Sequence, residues 1–106
     1  MIHKNIYYFI DKFDRNEILS LDKKINIIYR NYKEINLDPV IKQIKEVCNK
    51  TNRKFYIANS LKTALKFNLD GLYLPAFNNK LNYKNISSKK NFKIIGSAHN
   101  YKEVKI

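Results

Sequence analysis

Apolar positions along the chain fall into short runs that alternate between two periods. Asn5–Ile10 (NIYYFI), Ile25–Tyr29 (INIIY), Lys54–Ile57 (KFYI), Gly71–Leu74 (GLYL) and Phe92–Gly96 (FKIIG) are dense in β-branched and aromatic residues and predict five strands. INIIY is apolar on both faces, which is the pattern of a strand buried between layers, as in a parallel sheet. Between the strands the period changes to that of a helix. Val40, Ile41, Ile44, Val47 and Cys48 share one helical stripe, and Lys42, Gln43, Lys45, Glu46 and Lys50 take the other side. Asp38 is the predicted cap of that helix, with Pro39 at its first position.

Smaller signals mark the other connections. Asp14 with Glu17 three residues on forms a capping-box pattern and predicts a short helix to about Leu21. Ser60 predicts the start of a helix with Leu61, Ala64 and Leu65 facing inward, closed by a left-handed turn at Asn68. Residues 75–91 read as loop, with a turn of helix near Tyr83–Ser87. Asn100 and Glu103 repeat the capping-box pattern and predict a further helix, cut off by the chain end.

Strands alternating with helices predict an α/β fold with a parallel sheet and right-handed crossovers. A doubly wound sheet and part of a (β/α)₈ barrel both fit. FIDKFDRNE, after the first strand, contains no glycine, whereas a dinucleotide-binding unit carries a Gly-rich phosphate loop there. That favours the barrel. A complete barrel needs about 250 residues, so a 106-residue single domain is expected to hold five of the eight strands, the N-terminal portion of a (β/α)₈ TIM-type barrel with helices on its outer face.

Composition changes this picture little. The net charge of +12 raises the idea of a nucleic-acid or polyanion partner. Of the 21 basic residues, however, 18 are Lys and only 3 are Arg, and no basic run exceeds two residues. Arg is the residue that reads phosphates and guanine edges with a planar fork, so nucleic acid is disfavoured. Stacking of bases on the strand aromatics Tyr7, Tyr8, Tyr29, Phe55, Tyr56 and Tyr73 is the residual way to bind a single strand. Cys48 is the sole cysteine, which excludes an intrachain disulfide and fits the reducing cytoplasm. It lies on the apolar stripe and reads as core. No apolar run approaches the ~20 residues of a membrane span, and the N-terminus lacks the pattern of a signal peptide.

Four segments, in order, resemble the thiamine-phosphate synthase family. NIYYFID is similar to the family's opening strand, and INIIYRNY to its second. KFYIANSLKTALKFNLDGLYL is similar to its third and fourth strands, with Ala64-Leu65 and Asp70-Gly71 keeping the frame. IIGSAHNYKEV is similar to the fifth strand and the helix after it. The resemblance implies a barrel whose substrates, an aminopyrimidine diphosphate and a thiazole phosphate, are joined at the C-terminal ends of the strands with Mg²⁺ helping diphosphate to leave.

Residue by residue, the resemblance implies that Arg30 grips phosphate, a task suited to a bidentate guanidinium. Tyr32 stands where the family has Lys. Asn59 and Asn78 stand where it has metal-binding Asp, so no metal cofactor is expected, because Mg²⁺ prefers charged carboxylates. Ser97 and His99 match the family's strand-five ligands. The expected reading is therefore a degenerate or incomplete synthase-like protein with phosphorylated small-molecule partners. Substrate contacts are expected from Arg30, Asn59, Asn78 and Ser97. The alternatives are a thiazole tautomerase-like isomerase using His99 as acid and base, and a small basic polyanion-binding module. Open strand edges further imply pairing with a second copy.

Overall fold

The computed structural model describes residues 6–74, 91–96 and the backbone of 102–103. Strand and helix alternate as far as β4, as the periodicity predicts, and two further strands follow: β1 (Ile6–Ile10), α1 (Arg15–Ser20), β2 (Ile25–Tyr29), α2 (Leu37–Lys50), β3 (Phe55–Ala58), α3 (Leu61–Lys66), β4 (Gly71–Leu74), β5 (Lys93–Gly96) and a short β6 (Lys102–Glu103). The fold is α/β, with one open sheet in the order β5-β4-β3-β2-β1-β6. Every ladder is parallel. The five expected strands are therefore neighbours in sequential order, and the 2-1-3-4-5 order of a flavodoxin-like sheet does not occur.

The helix expected to open at Asn100 and Glu103 is corrected. Glu103 belongs to β6, where it pairs with Tyr7 while Lys102 pairs with Ile6; Asn100 lies outside the described residues. A capping pattern is a local signal, and a lone first helical turn is costly to nucleate. The unpaired edge of an apolar strand offers ready partners for N–H and C=O groups instead. The first strand is thus not an open edge at Ile6 and Tyr7. The turn expected near Tyr83–Ser87 also lies outside the described residues.

The two faces of the sheet are built differently. Ile27, Tyr29, Phe55, Ile57, Leu72 and Leu74 pack with Ile18 of α1, Ile41, Ile44, Val47 and Cys48 of α2 and Ala64 of α3. The opposite face buries Tyr7, Ile28, Tyr56, Ala58, Tyr73 and Ile95, with Phe9 beside them. Here β1 meets strands that it does not pair with. Tyr7 lies 5.5 Å from Tyr56 of β3, and Phe9 lies 5.1 Å from Tyr73 of β4, ring centroid to ring centroid. In a flat sheet those strands would lie about 10 and 14 Å apart, at roughly 4.8 Å per step. The sheet therefore curls towards this face and carries its helices on the convex side.

Several ends differ from expectation by a local competition. Asp14 does cap α1, accepting a hydrogen bond from Glu17 N at 3.1 Å. The Glu17 carboxylate turns away to accept one from Tyr8 Oη at 2.7 Å. α2 begins at Leu37 with Asn36 as its cap. Asp38 lies inside the first turn and its carboxylate binds Lys66 Nζ of α3 at 2.6 Å. On α3, Leu65 is exposed, contrary to expectation, and Thr63 is buried in its place. The Thr63 hydroxyl is taken up by a hydrogen bond from Ser60 Oγ, at 2.8 Å, which makes its burial inexpensive. Asn68 has the expected left-handed backbone, with φ 55°.

Candidate ligand site at the C-terminal edge

In parallel α/β sheets, residues that follow the strands gather at one edge, where the helices begin. Arg30 follows β2 there. Its backbone N–H donates to Ile10 O at 2.8 Å, extending the β1–β2 ladder by one bond. Its guanidinium carbon stands 3.9 Å from the centroid of the Phe9 ring. That is a cation–π geometry, which orients the planar fork as well as attracting it. Phe9 is itself held edge-to-face by Tyr73. Arg30 and Phe9 line a hollow of about 400 Å³ together with Tyr8, Asp11, Lys12 and Glu17.

Asn59 follows β3 at the same edge. Its φ of 61° is left-handed, and its N–H donates to Tyr73 O at 3.0 Å. Asn tolerates this conformation better than most residues, and the turn delivers Ser60 to the start of α3, where its side chain accepts from Thr63 N. Asn59 thus has a definite backbone task. It lines a second hollow, of about 260 Å³, with Asn31, Tyr32, Glu34, Leu37 and Ser60. Arg30 and Asn59 share an edge but line different hollows. Asn78, Ser97 and His99 lie outside the described residues, so Arg30 and Asn59 are the expected site residues that the structure describes.

Asn31 was not singled out from the sequence. Its Nδ2 donates to Asp11 O at 2.9 Å, and its Oδ1 accepts from Lys33 N at 2.9 Å and Glu34 N at 3.1 Å. It clasps the loop after β2 to the end of β1, between the two hollows. The signal was present as an Asn directly after an apolar strand, a common way to start a turn. Tyr32 lies on the rim and is 52% exposed. Partial burial raises its phenol above the ordinary value, while the nearby Arg30 charge works to lower it.

Arg30 and Lys12 supply positive charge, Phe9 a flat apolar wall, and Tyr8 a phenol tied to Glu17. An amide at Asn59 brings no charge to a cation and does not fit a Mg²⁺ site. Among the described residues no group of three or more His, Cys, Asp or Glu side chains gathers to hold a metal. Cys48 is no nucleophile: burial pushes its thiol up to about 12. A base-stacking face is also corrected at Tyr7, Tyr56 and Tyr73, which are 2–4% exposed and turned into the curl of the sheet. No described helix is long and apolar enough to cross a membrane. Compared with protein-family models, curated proteins and solved structures, the chain matches none.

Proposed function

We propose that the chain is a thiamine-phosphate synthase-like partial barrel that binds a phosphorylated small molecule in the cytoplasm without performing Mg²⁺-assisted condensation. The observation that carries this reading is the placement of Arg30. It closes the second strand of a sequentially ordered, curled parallel sheet, at the edge where such folds bind ligands, and its guanidinium is oriented on Phe9. A guanidinium so held can bind two phosphate oxygens with little further loss of freedom. Asn59 in place of a carboxylate supports binding without metal chemistry.

Calorimetric titration with the thiazole phosphate and with the aminopyrimidine diphosphate tests this. At least one should bind the wild-type chain, and Arg30→Ala should lose roughly tenfold or more in affinity, the value of one charge-assisted contact. Arg30→Lys should recover only part, since an ammonium lacks the fork. If neither compound binds, or if Arg30→Ala binds as well as wild type, the proposal fails.

A further inference from the structure

A third hollow, of about 740 Å³, lies at the opposite, N-terminal edge of the sheet, lined by the loop between α1 and β2 and by the end of α2. We propose that it binds a small phosphate ester, with the phosphate among Lys23, Lys24 and Lys50 and the apolar part against Leu19.

Four cations line this space, Lys23, Lys24, Lys50 and Arg53, against one carboxylate, Asp22. Asp22 is already engaged, since its Oδ1 accepts from Lys24 N at 2.9 Å. Basic residues at such an edge ordinarily answer the carbonyls that end the helices. Here those carbonyls are taken. Val47 O accepts from Thr51 N and Thr51 Oγ1, and Cys48 O accepts from Arg53 N at 2.9 Å. Arg53, 5% exposed, donates to Leu21 O, Asp22 O and Ile25 O at 2.8–2.9 Å. The lysines are therefore in excess of what the backbone needs. Lys23 and Lys24 have no ion pair among the described residues, and Lys50 has an exposed one with Glu46 at 3.2 Å, which solvent weakens.

Arg53 contributes further through the loop it holds. By binding three carbonyls it holds the loop that bears Lys23 and Lys24 in one shape, so little ordering remains for a ligand to impose. Its Nε is buried and has no acceptor among the described residues. Leu19, 44% exposed, supplies the apolar contact. This site is separate from the edge that carries Arg30 and does not rest on the reading given there.

The test is an amide-resolved NMR titration of the full chain with phenyl phosphate and, separately, inorganic diphosphate. Phenyl phosphate should produce saturable shifts in residues 19–24 and 50–53. The double variant Lys23→Gln/Lys24→Gln, at two exposed positions, should weaken binding of both probes about tenfold, as the loss of two charged contacts predicts. Leu19→Ser should weaken phenyl phosphate but not diphosphate. Binding of diphosphate alone, unaffected by Leu19→Ser, would overturn the assignment of an ester. Shifts spread over surface lysines throughout the chain, or no saturable shift in the two segments, would overturn the site.

Discussion

The Tyr56 ring lies over the bare Cα of Gly71, so closely that a Cβ built there would come 2.7 Å from Tyr56 Cδ2 and Cε2 and would also strike the carbonyl oxygen of Lys93. Gly71 pairs with Tyr56 on one side and with Lys93 on the other. Its value is therefore the absence of a side chain between two ladders. Gly71→Ala must push Tyr56 off its packing or part β4 from β5. Overpacking of this kind costs about 1–3 kcal/mol or more. Urea unfolding should show a loss of at least that size, and Cys48, buried in the wild type, should become open to alkylation at lower denaturant. Unchanged stability would mean that the sheet relaxes around the methyl group.

Tyr7 and Tyr56 bring a pH dependence. Burial raises both phenols above the ordinary value. A raised folded pKa means that the neutral form is the one the fold prefers. The corresponding stability is complete below about pH 10, where the unfolded phenols begin to ionise, and is lost as pH rises further. Thermal melts should thus fall steeply in the alkaline range. Tyr7→Phe/Tyr56→Phe should show a shallower fall over the same interval, having removed two of the groups that titrate, while Tyr8, Tyr29, Tyr32 and Cys48, also raised, remain. An alkaline fall of equal size in the double variant would assign it to other residues.

Arg53 holds three carbonyls that no ammonium can reach together. Arg53→Lys should therefore be nearly as damaging as Arg53→Ala, at a cost of about 1–3 kcal/mol for each buried carbonyl left without its donor. Arg30→Ala, whose guanidinium is only partly buried, should cost about 1 kcal/mol or less by loss of the contact with Phe9. Parallel denaturation of the three variants checks the contrast. A mild Arg53→Lys would show that the loop between α1 and β2 does not depend on the fork.

Asn59 separates a turn from a ligand contact. Its left-handed backbone suits Gly without strain, whereas Ala pays about 1–2 kcal/mol. Asn59→Gly should therefore be the milder change, and Asn59→Ala should be less stable than Asn59→Gly by that amount. If Asn59 also touches a phosphorylated ligand, Asn59→Gly will bind it more weakly than the wild type while remaining folded. Equal binding would exclude a ligand contact for Asn59.

Much of the architecture was legible in the residues. INIIY and GLYL are the second and fourth strands to the residue, because strands apolar on both sides and bounded by turn signals have few other uses. The stripe from Val40 to Cys48 is the buried face of α2, because its period admits one face only. Alternation of the two periods also implied parallel strands, which short connections through helices enforce. Position on the chain likewise put Arg30 and Asn59 after strands, at one edge of the sheet.

Only the tertiary structure decided which local signals would prevail. The Asn100–Glu103 pattern resembles a helix start, but an edge of β1 drew Lys102 and Glu103 into a ladder. Asp38 resembles a cap, but a lysine from α3 holds its carboxylate. Asp70-Gly71 entered as a family likeness; the fold gives both a structural task, since the Asp70 carboxylate accepts from Phe55 N at 2.8 Å and Gly71 admits Tyr56. Neither the curl that joins Phe9 to Tyr73 nor the hold of Arg53 on residues about thirty positions earlier leaves a periodic trace. Such contacts depend on where distant segments meet in space, and hydrophobic patterning records which way a side chain faces, not what it will find there.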